Sequence, residues 1–404
     1  KRLTVWLPVI IAASIALGIF IGNHYLSISQ GKKRSYSSGN KINAILDIID
    51  EQYVDTVSMS KLVESTIPKI FSELDPHSVY IPAEDASVVN EELEGSFSGI
   101  GVSFNMQTDT ILVISVISGG PAEKAGLLPF DRIISINDSI FSGKKKNQGE
   151  IMKTLRGAKN STVKLGVQRG NSPELLYFDV TRGDVPVNSV DVSYEAAKGI
   201  GYIKVSKFAR NTYNEFITAI AKLKQAGCTS FVIDLRGNTG GYMDAAINMI
   251  NEFMPEGRLI VYTEGKSFPR SDVYANGTGT CKDAPIVVLT DEISASASEI
   301  FSGAIQDNDR GTIIGRRTYG KGLVQTQMSL SDGSEMRLTI ARYYTPSGRC
   351  IQKKYEMGNT DAYDQDIYNR YMHGEFDSAD SIKMDDSLKY QTVGGRTVYG
   401  GGGI

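Results

Sequence analysis

Two apolar runs in the second half of the chain each break into a turn of small residues and then into a helical period, and that repetition admits few folds. Ser230-Phe231-Val232-Ile233-Asp234-Leu235 ends in Arg236-Gly237-Asn238-Thr239-Gly240-Gly241, and residues 242–254 follow with a helical pattern. Ile286–Leu289 leads into Asp291-Glu-Ile-Ser-Ala-Ser-Ala-Ser-Glu-Ile-Phe301, after which Ile300, Phe301, Ala304 and Ile305 recur at helical spacing. With a strand-like Gly201–Val205 and a helical Thr212–Lys224 ahead of them, residues 199–360 read as α/β. Such sheets bind ligands where a strand gives way to a turn and a helix.

Both turns carry groups suited to chemistry. Ser296 and Glu299 have the spacing of a capping box, which places Ser296 beside the unpaired amides and positive dipole end of a helix. A developing oxyanion needs such donors, and Ala295 and Ala297 are small enough to let a substrate backbone approach. Ser294 and Ser298 compete with Ser296 on chemistry alone, and an ordinary capped helix uses the same residues. Gly240 and Gly241 offer further N–H groups, although a tight turn also explains them.

Only His24, His77 and His373 occur, with none between residues 78 and 372. Unless His77 or His373 folds back, the base for a nucleophilic serine is a lysine or a carboxylate. Lys321 lies between Gly320 and Gly322, and the period of a strand puts Lys321, Leu323 and Gln325 on one face. An exposed turn lysine is the plain alternative. To act as a base the amine must be neutral, which requires its usual pKa of about 10.4 to fall by roughly three units. Burial can do this, and no acid lies between Ile313 and Leu330 to oppose it.

The preceding chain is organised in segments. Leu3–Gly22 is uncharged and long enough to cross a bilayer, so residues 1–28 read as a transmembrane segment with a short flank. Lys1 and Arg2 before it and Lys32, Lys33 and Arg34 after it leave the orientation undecided. Residues 29–40 form a polar tether, and residues 41–95 a helical module that Asp75-Pro76-His77 interrupts. Across residues 96–182 short β-like runs, Gly101–Phe104, Ile111–Ile117, Asp131–Ile136 and Val163–Val167, surround one helical stretch, Asn147–Leu155. Gly99 and Gly101 precede a strand, where exposed backbone amides can receive a terminal carboxylate. Past residue 360 the chain is polar, and its spaced aspartates read as a solvated face. A net charge of −3 gives no reason to expect nucleic-acid binding, and three scattered cysteines define neither a disulfide framework nor a metal site. No cofactor is implied.

The stretch Ser98–Phe104, with Gly119-Gly-Pro-Ala-Glu-Lys-Ala-Gly-Leu127 and Asp131–Asn137, resembles a PDZ domain, with Phe130 where that family usually has glycine. Leu235-Arg-Gly-Asn-x-Gly-Gly241, Ser294–Glu299 and Tyr319-Gly-Lys-Gly322 with Gln325 resemble the carboxy-terminal processing proteases, in which a PDZ domain precedes a Ser-Lys core. The resemblance implies a multidomain α/β protein: an N-terminal transmembrane helix, a small helical module, a PDZ domain at 96–182, a protease core at 183–360 and a polar extension at 361–404. It implies Ser296 as nucleophile, Lys321 as general base, Gln325 as its orienting group, and an oxyanion hole from Ala297 and one of Gly240 and Gly241. Gly99, Ile100, Gly101 and Val102 would hold a substrate C-terminus. The expected partners are proteins with accessible C-terminal tails, the membrane, and a second copy through residues 41–95. The expected location is a bacterial cytoplasmic membrane, with the catalytic part on the extracytoplasmic side. A PDZ scaffold with an inert core, or a protease switched by its PDZ ligand, are the alternatives.

Overall fold

The computed structural model describes residues 12, 14–19, 38–107, 110–141 and 148–404. The expected span Leu3–Gly22 falls largely outside them, and among the described residues no helix is long and apolar enough to cross a membrane. Two compact units are present, residues 1–66 and 67–404. In the first, the helix Ser38–Gln52 leaves Ile42, Ile45 and Ile48 exposed, and the helix Met59–Ser72 begins.

The second unit holds two sheets around the candidate site. One has the order 190–197, 200–205, 230–234, 286–290, 312–315, antiparallel in its first pair and parallel thereafter. Parallel neighbours need helical crossovers, and Thr212–Gln225, Met243–Asn251 and Ala297–Asp307 occupy those connections. The helix Ala297–Asp307 is buried at every position but Gln306. Its Ser298, Ser302, Gly303 and Ala304 permit this, since a Cβ on Gly303 would come within 2.7 Å of Thr345 Cγ2. Phe253 joins this helix to the sheet by edge contacts with Phe216, Phe231 and Phe301.

The other sheet is antiparallel. Glu335–Tyr344 pairs with Leu323–Ser329, Leu259–Glu264 and the short strand Val79–Ile81. Residues 79–94 are thereby tied into the larger unit: the strand is followed by the helix Ala83–Glu94, which the sequence pattern did not mark. Residues 96–186 form the six-stranded antiparallel sheet of the PDZ-like region and a separate pair, Ser96–Gly99 with Gly183–Pro186. The helix Gln148–Leu155 packs Ile151 and Leu155 into its core. Phe130 takes φ 70°, the left-handed backbone that favours glycine, so its presence retains the turn at a local strain of about 1–2 kcal/mol. The segment beyond residue 360 folds back onto the core. The helix Thr360–Met372 buries Tyr363 and Arg370, and Thr318 N–H donates to the Ile404 carbonyl at 3.1 Å.

Candidate active site

A cleft of about 800 Å³ is lined by Gly240, Gly241, Ser296, Ala297, Lys321 and Gln325, so the structure gathers the core residues expected from sequence. The PDZ-loop residues lie apart from it: Gly99 ends one strand, Ile100 is buried, Gly101 has φ 77° and Val102 begins the next strand.

The three serines separate by burial. Ser294 Oγ donates to the Leu235 carbonyl at 2.9 Å, and Ser298 Oγ to the Asn238 carbonyl at 2.9 Å, with both residues fully buried. Ser296 lies between them and faces the cleft. Its backbone has φ 56°, ψ −114°, a conformation rarely taken by a residue with a side chain. The capping-box pair forms through Glu299: Ser296 N–H donates to Glu299 Oε2 at 2.8 Å, while the Glu299 amide bonds the Ser296 carbonyl at 2.8 Å. The capping box expected from the spacing is thus present, and its hydrogen bonds run through the Ser296 backbone and the Glu299 carboxylate.

The glycine turn lies against this serine. Asn238, fully buried, holds it: its Nδ2 donates to the Val205 carbonyl, its Oδ1 accepts from Gly240 N–H at 2.9 Å, and its carbonyl accepts from Ala295 N–H. Gly240 has φ 104°, and a Cβ there would lie 2.7 Å from Ser296 Cβ and 2.8 Å from the Ala295 carbonyl oxygen. The Gly240 amide is thus occupied. Those of Gly241 and Ala297 have no acceptor among the described residues.

Lys321 approaches from the antiparallel sheet. Its Nζ donates to Gln325 Oε1 at 3.2 Å, and no hydrogen bond joins it to the Ser296 hydroxyl. Glu299 and Tyr343 tie the two sides together. The fully buried Glu299 carboxylate accepts from the amides of Ser296, Gly320 and Lys321 and from Thr318 Oγ1. Tyr343 Oη lies 3.2 Å from the Ser296 carbonyl and 2.5 Å from that of Lys321.

Comparisons with known proteins place this arrangement. Residues 199–361 match the model of peptidase family S41, and residues 98–191 that of a PDZ domain. A probable CtpA-like serine protease of Staphylococcus aureus (strain N315) is 33% identical over 355 residues, covering 86% of this chain and 70% of that protein. The chain belongs to peptidase family S41. The carboxy-terminal processing protease CtpB of Bacillus subtilis (strain 168) is 35% identical over 318 residues, 78% of this chain and 66% of that one, so the chain spans about two thirds of these relatives. A solved photosystem II D1 C-terminal processing protease is 27% identical, covering 78% of this chain and 90% of its own, with a TM-score of 0.42. The S41 family consists of serine-type peptidases, and this member carries the PDZ domain of the carboxy-terminal processing kind.

In this S41 peptidase, burial lowers the pKa of Lys321, and the Arg337 charge lowers it further. Glu299 and Asp75 oppose that shift. The expectation that no acid would oppose the shift considered only neighbours in sequence; these two acids arrive from elsewhere in the chain. Burial likewise raises the pKa of Glu299, against the hydrogen bonds it accepts. His77 does fold back toward the site, but its ring bonds Tyr363 Oη at 2.9 Å, and burial followed by the Lys321 charge lowers its pKa to about 4. Its carbonyl accepts from Gln325 Nε2. In the sequence Glu299 shows only as a capping partner, Asp75 only as part of a helix stop, His77 only as a histidine that could fold back and Asn238 only as a member of the glycine-turn motif, while nothing marks Tyr343.

Proposed function

We propose that the protein is a membrane-tethered serine endopeptidase that takes the C-terminal tail of a protein substrate on its PDZ domain and hydrolyses a peptide bond near that end. Ser296 Oγ attacks the scissile carbonyl, and neutral Lys321 Nζ takes its proton. The Ala297 and Gly241 amides stabilise the oxyanion, and the Lys321 ammonium returns the proton to the leaving amine. Water then attacks the acyl-enzyme, with Lys321 again as base. Gln325 orients the amine without adding charge. The amine and hydroxyl come into contact when substrate fills the cleft, as catalytic hydrogen bonds often tighten only then.

The observation that carries this reading is the pairing of Ser296, the one of the three neighbouring serines that lines the cleft, with a buried lysine on the same cleft. Gly99, Ile100, Gly101 and Val102 receive the substrate carboxylate, since Gly101 turns the chain at φ 77° between two strands. The uncharged run Leu3–Gly22 supports the tether, with residues 30–404 on the outer face of a bacterial cytoplasmic membrane. The exposed isoleucines of Ser38–Gln52 support self-association through residues 41–95. Protease accessibility of a C-terminal tag on intact cells tests the topology.

Ser296→Ala and Lys321→Ala test the chemistry. Each should lower cleavage of a tail-bearing protein by about 10⁴-fold or more with the thermal midpoint retained. Wild-type turnover in either variant would show the assigned roles to be wrong.

A further inference from the structure

We propose that His77 and Tyr363 are positioning residues that hold Gln325, and through it Lys321, in place; this rests on the reading of Lys321 as the base. The Gln325 side chain is held at both ends, with Oε1 accepting from Lys321 Nζ at 3.2 Å and Nε2 donating to the His77 carbonyl. The orientation of the amide, and with it the acceptor shown to the lysine, is therefore set by where the His77 carbonyl lies.

His77 is in turn fixed on two sides. On its backbone side, Asp75 Oδ1 accepts from His77 N–H at 3.0 Å and from Ser78 N–H at 3.1 Å. Asp75 is itself anchored to the central antiparallel strand, since Oδ1 accepts from Thr339 Oγ1 at 2.9 Å and Oδ2 from Ser78 Oγ at 2.5 Å. Ser78 Oγ then accepts from Thr339 N–H at 3.0 Å. On its ring side, His77 Nε2 meets Tyr363 Oη at 2.9 Å, with the two rings edge-on at 5.2 Å. Burial keeps this imidazole neutral near neutral pH; in the tautomer with its proton on Nδ1, Nε2 accepts from the tyrosine hydroxyl, while Tyr363 Oη accepts from Gln352 Nε2 at 3.3 Å. Tyr363 belongs to the helix Thr360–Met372, which gives the segment after the core a part in the site.

Gln352 is a second route from Tyr363 to the lysine loop, because its Oε1 accepts from Gly322 N–H at 2.8 Å. It has an independent anchor in the Lys353 carbonyl, at 2.9 Å. Loss of the tyrosine hydroxyl therefore falls chiefly on His77. The lysine side chain is long and flexible, and a base misplaced by a fraction of an ångström loses rate without losing substrate binding.

A double-mutant cycle tests the inference. The full-length protein, its Tyr363→Phe and Gln325→Ala variants and the double variant are compared on fluorescein-labelled casein, with thermal midpoints measured alongside and Lys321→Ala as control. Tyr363→Phe should lower kcat about tenfold with KM within about twofold, and Gln325→Ala should lower kcat about 100-fold. The double variant should match Gln325→Ala within about twofold, because both changes act through one contact. A merely structural tyrosine would instead make the two factors multiply, and that result, or parent kcat in Tyr363→Phe, overturns the proposal. If Lys321→Ala cleaves as the parent does, the reading of the site fails; if it is inactive while the cycle is additive, only the roles of His77 and Tyr363 fail.

Discussion

Ser296 is placed by the backbone on either side of it, whereas Lys321 is placed by side chains drawn from distant parts of the chain. On the serine side, a strained residue at a helix start, flanked by two serines whose hydroxyls bond carbonyls of the glycine turn, leaves almost no freedom. On the lysine side, Gln325, Arg337, Asp75 and Glu299 together determine where the amine lies and how readily it loses a proton. A nucleophile needs direction, and a rigid backbone supplies it. A lysine base needs a depressed pKa, which is a balance of burial against charges and so needs many contributors.

Among changes that leave both reacting groups in place, the largest effect should come from disturbing the rigid side. Gly240→Ala places a methyl against Ser296 Cβ and the Ala295 carbonyl, at a backbone angle that disfavours any side chain. Steady-state kinetics should show kcat lowered by at least about 100-fold, comparable to loss of an oxyanion donor. A mild effect would mean that the two segments give way more easily than their contacts suggest.

On the lysine side a charge should act more than a shape. The protonated amine cannot accept the serine proton, so kcat/KM should fall as pH drops through the lowered pKa of Lys321, at a pH below the ordinary lysine range. Gln325→Glu puts a carboxylate where the amide lies 3.2 Å from Nζ and favours the ammonium, adding to Glu299 and Asp75 and opposing Arg337. The acid limb of the pH profile should then move up by about 1–3 units. An unmoved limb would show that it reports some other group.

The smallest effect on rate should come from Ser294→Ala. It removes a buried bond to the Leu235 carbonyl, so stability in urea should fall by about 1–2 kcal/mol while kcat stays within a few-fold. A loss as large as that of Ser296→Ala would reopen the choice of nucleophile.

The same contrast explains what could be read in advance. The α/β order, both turns and the serine stretch follow from local patterns, because a strand period, a glycine turn and a capping pair each act over a few residues. Phe130 shows the limit of such rules, holding a glycine conformation with a large side chain. The lysine environment is legible only as Gly-Lys-Gly with Leu323 and Gln325 on the same strand face. Asp75, His77, Tyr343 and Tyr363 reach it through tertiary contacts that no short spacing encodes, and Glu299 entered as a cap yet serves amides on both sides of the cleft. Nor did the polarity of the segment beyond residue 360 announce that one of its tyrosines would be buried against His77.

The central claim, that Ser296 attacks with Lys321 as its base, is tested most directly by locating the acyl group. Full-length protein would be acid-quenched during turnover of an activated ester and mapped by mass spectrometry across a range of pH, beside Lys321→Ala. The expected result is acylation of Ser296 alone, rising with pH as the lysine deprotonates and absent in Lys321→Ala. Acylation of Ser294 or Ser298, or undiminished labelling of Ser296 without Lys321, would contradict it.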